Sequence, residues 1–260
     1  MIRRDDTAPD GSRSWILISQ VDHARISGEL ATHWGANSFR PIEPRDELLP
    51  AIFGHDNGWA AWEQFPAVDP QLGRPLNFTE MPLADSLAIW QRSIDSVGSY
   101  GDLAGYVVSG HFSALLRHAN HWQTMGTDHR ADAADFLARQ DAFRTQSLAL
   151  WQSRHPASDA LAVAAYGLRC LQFFDALSLW FCTAQRDRPH TLDPPGGPPL
   201  TLSPRSPTEI GLAPWPLDQG ELTIATDGRR IPAARYASPE ELAAVQGATV
   251  QLAWRLTPAK

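Results

Sequence analysis

ALAVAAYGLRCLQFFDALSLWFCTA, residues 160–184, is the longest apolar run in the chain. A helix of that length can cross a bilayer. However, Arg169, Gln172 and Asp175 lie inside it, and an Arg and an Asp near the centre of a membrane span are costly. The run therefore reads as the core helix of a soluble, cytoplasmic protein, started at Ser158 or Asp159. Asp175 is its only acid. A buried carboxylate needs a cation or strong hydrogen bonds, so the packing around this helix has to supply a partner.

Upstream, residues 14–19, SWILIS, suit a short strand. A helix then opens at Gln20 or Asp22 and runs to about Trp34, stopped by Gly35. Asp46 caps a second helix, expected to run through His55 and Asp56 to about Phe65. Residues 66–82 hold four prolines and a glycine and form a loop. Further helices are expected over about 83–97, 103–122 and 129–154. Downstream, residues 187–220 contain nine prolines and read as an irregular crossing. ELTIATDGRRIPAARY, residues 221–236, looks like a hairpin turning at Asp227-Gly228, and VQLAWRL, 250–256, is a final strand. The expected fold is mainly α, a bundle of about six helices with a small C-terminal β element that the first strand can join. The expected organisation is a helical domain over 1–186 with residues 187–260 packed on it, the two parts possible as one domain.

The composition is that of an ordinary globular chain, with 43% apolar and 20% charged residues. The net charge is −7, Lys260 is the only lysine, and no basic run appears. Phosphate backbones need a basic face, so nucleic acid is excluded as main partner. The N-terminal MIRRDDTAPDGSRS has no apolar signal core. Cys170 and Cys182, twelve apart, form no CxxC motif and no disulfide framework. A small-molecule partner is expected, with no nucleic acid and no membrane.

The chemistry concentrates around AIFGHDNGW, residues 51–59, where His55 and Asp56 interrupt an apolar run. The plain reading is a solvated helix end; the sharper one is a metal site. Successive helical residues point about 100° apart, so the pair reaches one ion only if its helix passes tangentially to it. Other helices must complete such a site. Lone polar residues on apolar faces are His23 in ISQVDHARISGEL, Asp175 in LQFFDALSLW, and His111 in VVSGHFSALLRH. Val108, His111, Leu115 and His118 share one helical stripe, which turns His111 inward. Two imidazoles and two carboxylates, His23, His55, Asp56 and Asp175, suit a divalent ion such as Fe, Mn, Co, Zn or Mg. His111 and Asp56 are the candidate catalytic residues. Trp59 is a candidate pocket wall, and Arg92 and Arg117 are candidate anion partners, although core packing and solvent explain such residues equally well. His33, His118 and His121 read as helix-end residues.

The order His23, His55-Asp56, Asp175 resembles the HD superfamily of metal-dependent phosphohydrolases, named for this doublet, with an earlier His and a late Asp on separate helices. AIFGHDNG and LQFFDALSL resemble its local contexts, and the likeness covers about residues 20–185. The chain is also similar, more closely, to an uncharacterised bacterial family of unknown function that carries the phrases QxDHARxSGE and HDxGW. Two departures stand out. Many HD members have a lysine soon after the doublet, where this chain has Trp59, and the C-terminal β element lies outside the HD pattern. The resemblance implies metal-dependent hydrolysis of a small phosphoester, with the missing lysine arguing against a polyphosphate. The alternatives are a di-iron oxygenase recruiting His111 and His118, or a non-catalytic binding protein.

Overall fold

In a computed structural model, which describes residues 1–118 and 126–259, the apolar run forms helix α6, Ala160–Thr183, with the Asp159 side chain accepting from the Ala162 N–H at its start. It is the one described helix long and apolar enough to cross a membrane, and half of its most apolar window is buried inside the molecule. Around it pack α1 (Gln20–Thr32), α2 (Arg45–Gly54), α4 (Asp102–His118) and α5 (Thr127–Arg154), while α3 (Leu83–Gly98) lies on α4. The helix expected to reach residue 122 is described to His118, and His121 lies outside the described residues.

The mainly α, all-helical bundle expectation is overturned. Helix makes up 48% and strand 21% of the chain, and the strands form a curled, mixed half-barrel. The sheet has seven strands: β1 (Ile2–Thr7), β2 (Arg13–Ile18), β3 (His190–Leu192), β4 (Leu200–Ser206), β5 (Glu209–Ala213), β6 (Leu222–Pro232) and β7 (Ala248–Pro258). Their order is β1-β2-β6-β7-β5-β4-β3. β5 and β7 run parallel and the other neighbours antiparallel. A short helix α7 (Pro239–Ala244) connects β6 to β7.

Three local misreadings hid the sheet. The Pro-rich crossing contains β3, β4 and β5. The first six residues after Met1, rich in charge, form edge strand β1. The Asp227-Gly228 turn does not exist: both residues lie inside β6, opposite Gln251 and Val250 of β7. Gly228 is there for space, since a Cβ would sit 2.4 Å from the Ile16 side chain on β2. One core unites both halves of the chain, running from Ile2 and Ile16 through Ile26, Phe174 and Phe181 to Trp254 and Leu256. Burying one face of the sheet on α1 and α6 fixes α1 beside α6, and so fixes the residues that these helices turn toward each other.

Candidate metal centre

α2 stops just before the doublet instead of running through it. His55 is its last cap residue, in helical conformation, while Asp56 has left it at φ −108°, ψ 18°. A 3-10 turn, Asn57–Trp59, follows. This break answers the geometric difficulty of two adjacent ligands, because the backbone turns between them. Packing enforces the turn. A Cβ on Gly58 would lie 2.1 Å from the Ile89 carbonyl oxygen of α3, and the Gly58 N–H donates to Ser93 Oγ at 2.9 Å.

α1 begins at Ser19, whose Oγ accepts from the Asp22 N–H, and one turn later presents His23. His23, His55 and Asp56 are all buried, and one ligand atom from each lies within 4.8 Å of the others. Asp175 of α6 closes the group. His23 Nε2 is 3.1 Å from Asp175 Oδ1 and 3.6 Å from Asp56 Oδ2; His55 Nε2 is 3.5 Å and 3.7 Å from the same two atoms. Ligands held about 2.1 Å from one centre are about 3.0 Å apart at right angles and about 3.4 Å apart at tetrahedral angles. Asp175 is the most accessible member, with its side chain 16% exposed against 1% for both histidines.

The other ring nitrogen of each histidine is already used. His55 Nδ1 lies 2.8 Å from the Ile52 carbonyl oxygen, so it carries a proton and donates. His23 Nδ1 lies 2.5 Å from Ser178 Oγ. The Ser178 hydroxyl can donate to the Asp175 carbonyl at 3.1 Å, which leaves its oxygen free to accept from His23. Ser27 Oγ, 2.8 Å from Ser178 Oγ, buttresses the pair. By contrast, among the described residues Nε2 of both histidines is buried without a hydrogen-bond partner. Buried polar atoms are nearly always satisfied, and metal-bound histidines show this same division of labour between their nitrogens. Two orphan nitrogens facing the same two carboxylates make a donor set that fits a divalent cation.

The electrostatics agree with the geometry. Burial alone would lower the His55 imidazole, but the Asp56 carboxylate, and then Asp175, outweigh it and push it up to about 9. Burial would raise Asp175, yet the imidazoles of His23 and His55 hold it well below the usual carboxylate range. In the metal-free chain the charge of the His55 imidazolium therefore offsets the carboxylates, as a bound cation would.

His111 of α4 is buried at the edge of this group, Nε2 3.9 Å from Asp175 Oδ2 and its ring 5.7 Å from that of His55. Burial pushes it down to about 4, so it is neutral at pH 7, and its Nδ1 has no hydrogen-bond partner. The expected stripe on α4 does not stay inward: Leu115 and His118 are exposed, and His118 Nδ1 is bonded to its own helix at the Ala114 carbonyl. Trp59 is buried and packs edge-on against Trp62 at 5.5 Å. Arg92 is exposed and, among the described residues, reaches only the Gly58 carbonyl, at 3.4 Å. Arg117 is engaged at the surface by both oxygens of Asp141 at 2.9 Å. His33 caps α1 and pairs with Asp218. The residues missed in the sequence are Ser27 and Ser178, which position His23. Ser178 was detectable, because it lies one helical turn beyond Asp175.

The chain belongs to the family described as "Protein of unknown function (DUF3891)", which matches residues 1–233. No curated protein and no solved structure matches it.

Proposed function

We propose that His23, His55, Asp56 and Asp175 hold one divalent metal ion and that the protein is a metal-dependent hydrolase of a small phosphoester, working in the cytoplasm. One observation carries the metal reading: the two orphan Nε2 atoms of His23 and His55, each aimed at the same pair of carboxylates. Two carboxylates cancel the charge of a divalent ion. The hydrolase reading leans on the HD-like order of these four residues. When bound, such an ion lowers the pKa of water toward neutrality and polarises a phosphoryl oxygen.

The chain's own residues then have distinct tasks. Ser178 and the Ile52 carbonyl hold the two imidazoles in the tautomer that leaves Nε2 available. Asp175, the most exposed ligand, marks the side from which substrate approaches. His111, neutral at pH 7, is not an imidazolium and so is no general acid there. It suits a positioning role, offering one N–H and one lone pair to water or to the leaving group. With Lys260 the only lysine in the sequence, arginine and backbone N–H groups would hold phosphate. An oxygenase with a second ion would need further ligands, and His118 is turned away to the surface.

The test is a phosphomonoester and phosphodiester panel run with Mn, Fe, Co, Zn and Mg in turn. Turnover is expected with at least one ion and is abolished in Asp56→Ala. Rates equal to the Asp56→Ala background with every ion would end the hydrolase reading.

A further inference from the structure

His23 has a less secure seat than Asp175. Asp175 lies well inside the 24-residue helix α6, whereas His23 is the fourth residue of α1, in the first turn, where helices fray. The first N–H groups of a helix have no partner within it. In α1 two of them are held by side chains. The Asp22 N–H donates to Ser19 Oγ at 2.9 Å, a local cap. The Gln20 N–H donates to Glu63 Oε1 at 2.7 Å, across 43 residues of sequence.

Glu63 comes from the other side of the centre. Its own N–H donates to the Trp59 carbonyl at 2.9 Å, and the Trp59 N–H donates to the Asp56 carbonyl at 3.0 Å. On the α1 side, the His23 N–H donates to the Ser19 carbonyl at 3.1 Å. Short backbone turns thus lead from Asp56 to Glu63 and from His23 back to the start of α1, and the Glu63 side chain joins the two segments. That side chain is only 10% exposed, and Oε1 also faces the Met1 amino group at 2.8 Å. A buried carboxylate is a costly cap, and α1 already has Ser19. What Glu63 adds is a fixed distance between two segments that both carry ligands.

We infer that Glu63 is a positioning residue of the metal centre: its carboxylate sets the distance between His23 and the His55-Asp56 turn, and thereby the affinity for metal. This rests on the four-residue centre binding an ion. Residues that hold metal ligands in place typically change affinity by about 10- to 100-fold when lost. Glu63 acts on the backbone beneath His23 and not on its ring.

The test is cobalt(II) titration of the chelator-stripped full chain, followed by visible absorption. Two variants separate reach from charge. Glu63→Asp keeps the charge and withdraws the carboxylate by about 1.5 Å, one carbon–carbon bond. Glu63→Gln keeps the reach and an acceptor oxygen, and gives up the charge facing the Met1 amino group. Glu63→Asp is expected to bind cobalt about tenfold more weakly, with a changed absorption band as His23 shifts. Glu63→Gln is expected to keep the wild-type band and an affinity within about threefold of wild type, even where its urea midpoint falls. Far-UV circular dichroism checks the fold of each variant. Glu63→Met, similar in length but without an acceptor, replaces Glu63→Asp if that variant is unfolded, with the same loss expected. Wild-type affinity and band in Glu63→Asp, or a larger loss in Glu63→Gln than in Glu63→Asp, overturns the inference while the metal centre stands. Wild-type protein that binds no cobalt removes the metal reading and this inference together.

Discussion

Two polar clusters among the described residues of the helical part, one buried around His23 and His55 and one running from buried Ser109 and Gln140 out to the surface at Asp95, are built on opposite terms. Between α3, α4 and α5, Ser109 Oγ donates to Gln140 Oε1 at 3.0 Å, Gln140 Nε2 donates to Gln91 Oε1 at 2.8 Å, and Gln91 Nε2 passes the chain to Asp95 at 2.8 Å. Every step ends on a partner. Between α1, α2 and α6, the outer nitrogens of His23 and His55 are equally well held, but the inner ones face carboxylates without a hydrogen bond. A satisfied network fixes how helices pack. A network left open at atoms that all point to one place is the arrangement a bound cation would require.

The sharpest way to separate the two clusters is to ask which of them responds to metal. Metal at a hundred times its Kd should stabilise the wild type by about 2.7 kcal/mol. His55→Ala should abolish that response, and chelation should leave its denaturation midpoint unmoved. Gln140→Ala should cost about 1–3 kcal/mol by stranding its partners, to the same extent with and without metal. Urea denaturation of the three proteins, with metal and with chelator, reads both effects. A metal response surviving in His55→Ala would break the comparison.

A smaller effect concerns pH in the metal-free chain. The His55 pKa is raised to about 9, so its contribution is fully present below the unfolded value of about 6.5 and is lost as pH rises through 9. His111 is depressed to about 4, so protons favour the unfolded chain as pH falls from about 6.5 toward 4. Stability of the stripped protein should peak near pH 6–7 and decline on both sides, on the order of 1–3 kcal/mol across each window. Bound metal should flatten the alkaline side, because the ion takes the place of the His55 proton. An alkaline decline of the same size with metal bound would show that the His55 proton and the ion do not compete.

The two halves of the fold were unequally legible in the sequence. Helix α6 announced itself through its length and its lone acid, and α3, α5 and the start of α1 lie close to where periodicity and caps put them. The sheet announced itself only in β2, β7 and the first half of β6, with β2 joining the C-terminal strands as expected; the rest did not, because those strands carry the wrong local signals. β4 contains Pro204, β1 is mostly charged, and Gly228 looked like a turn while serving as a gap for Ile16. Pairing between strands some two hundred residues apart leaves no trace in a local window, as with β2 against β6. At the site, lone polar residues in apolar stretches singled out His23, Asp175 and His111. The break after Gly54 was not legible, since it is dictated by contact of Gly58 with α3. The outward turn of His118 was also hidden, because a stripe of spacing does not show where its neighbours end.

The most direct test is stoichiometry. Chelator-stripped wild-type protein, titrated with Mn, Fe, Co and Zn and followed by elemental analysis after desalting, should retain about one ion per chain. His23→Ala, His55→Ala, Asp56→Ala and Asp175→Ala should each retain almost none. Retention of no ion by the wild type, or undiminished retention in all four variants, would contradict the assignment of these residues as a metal centre.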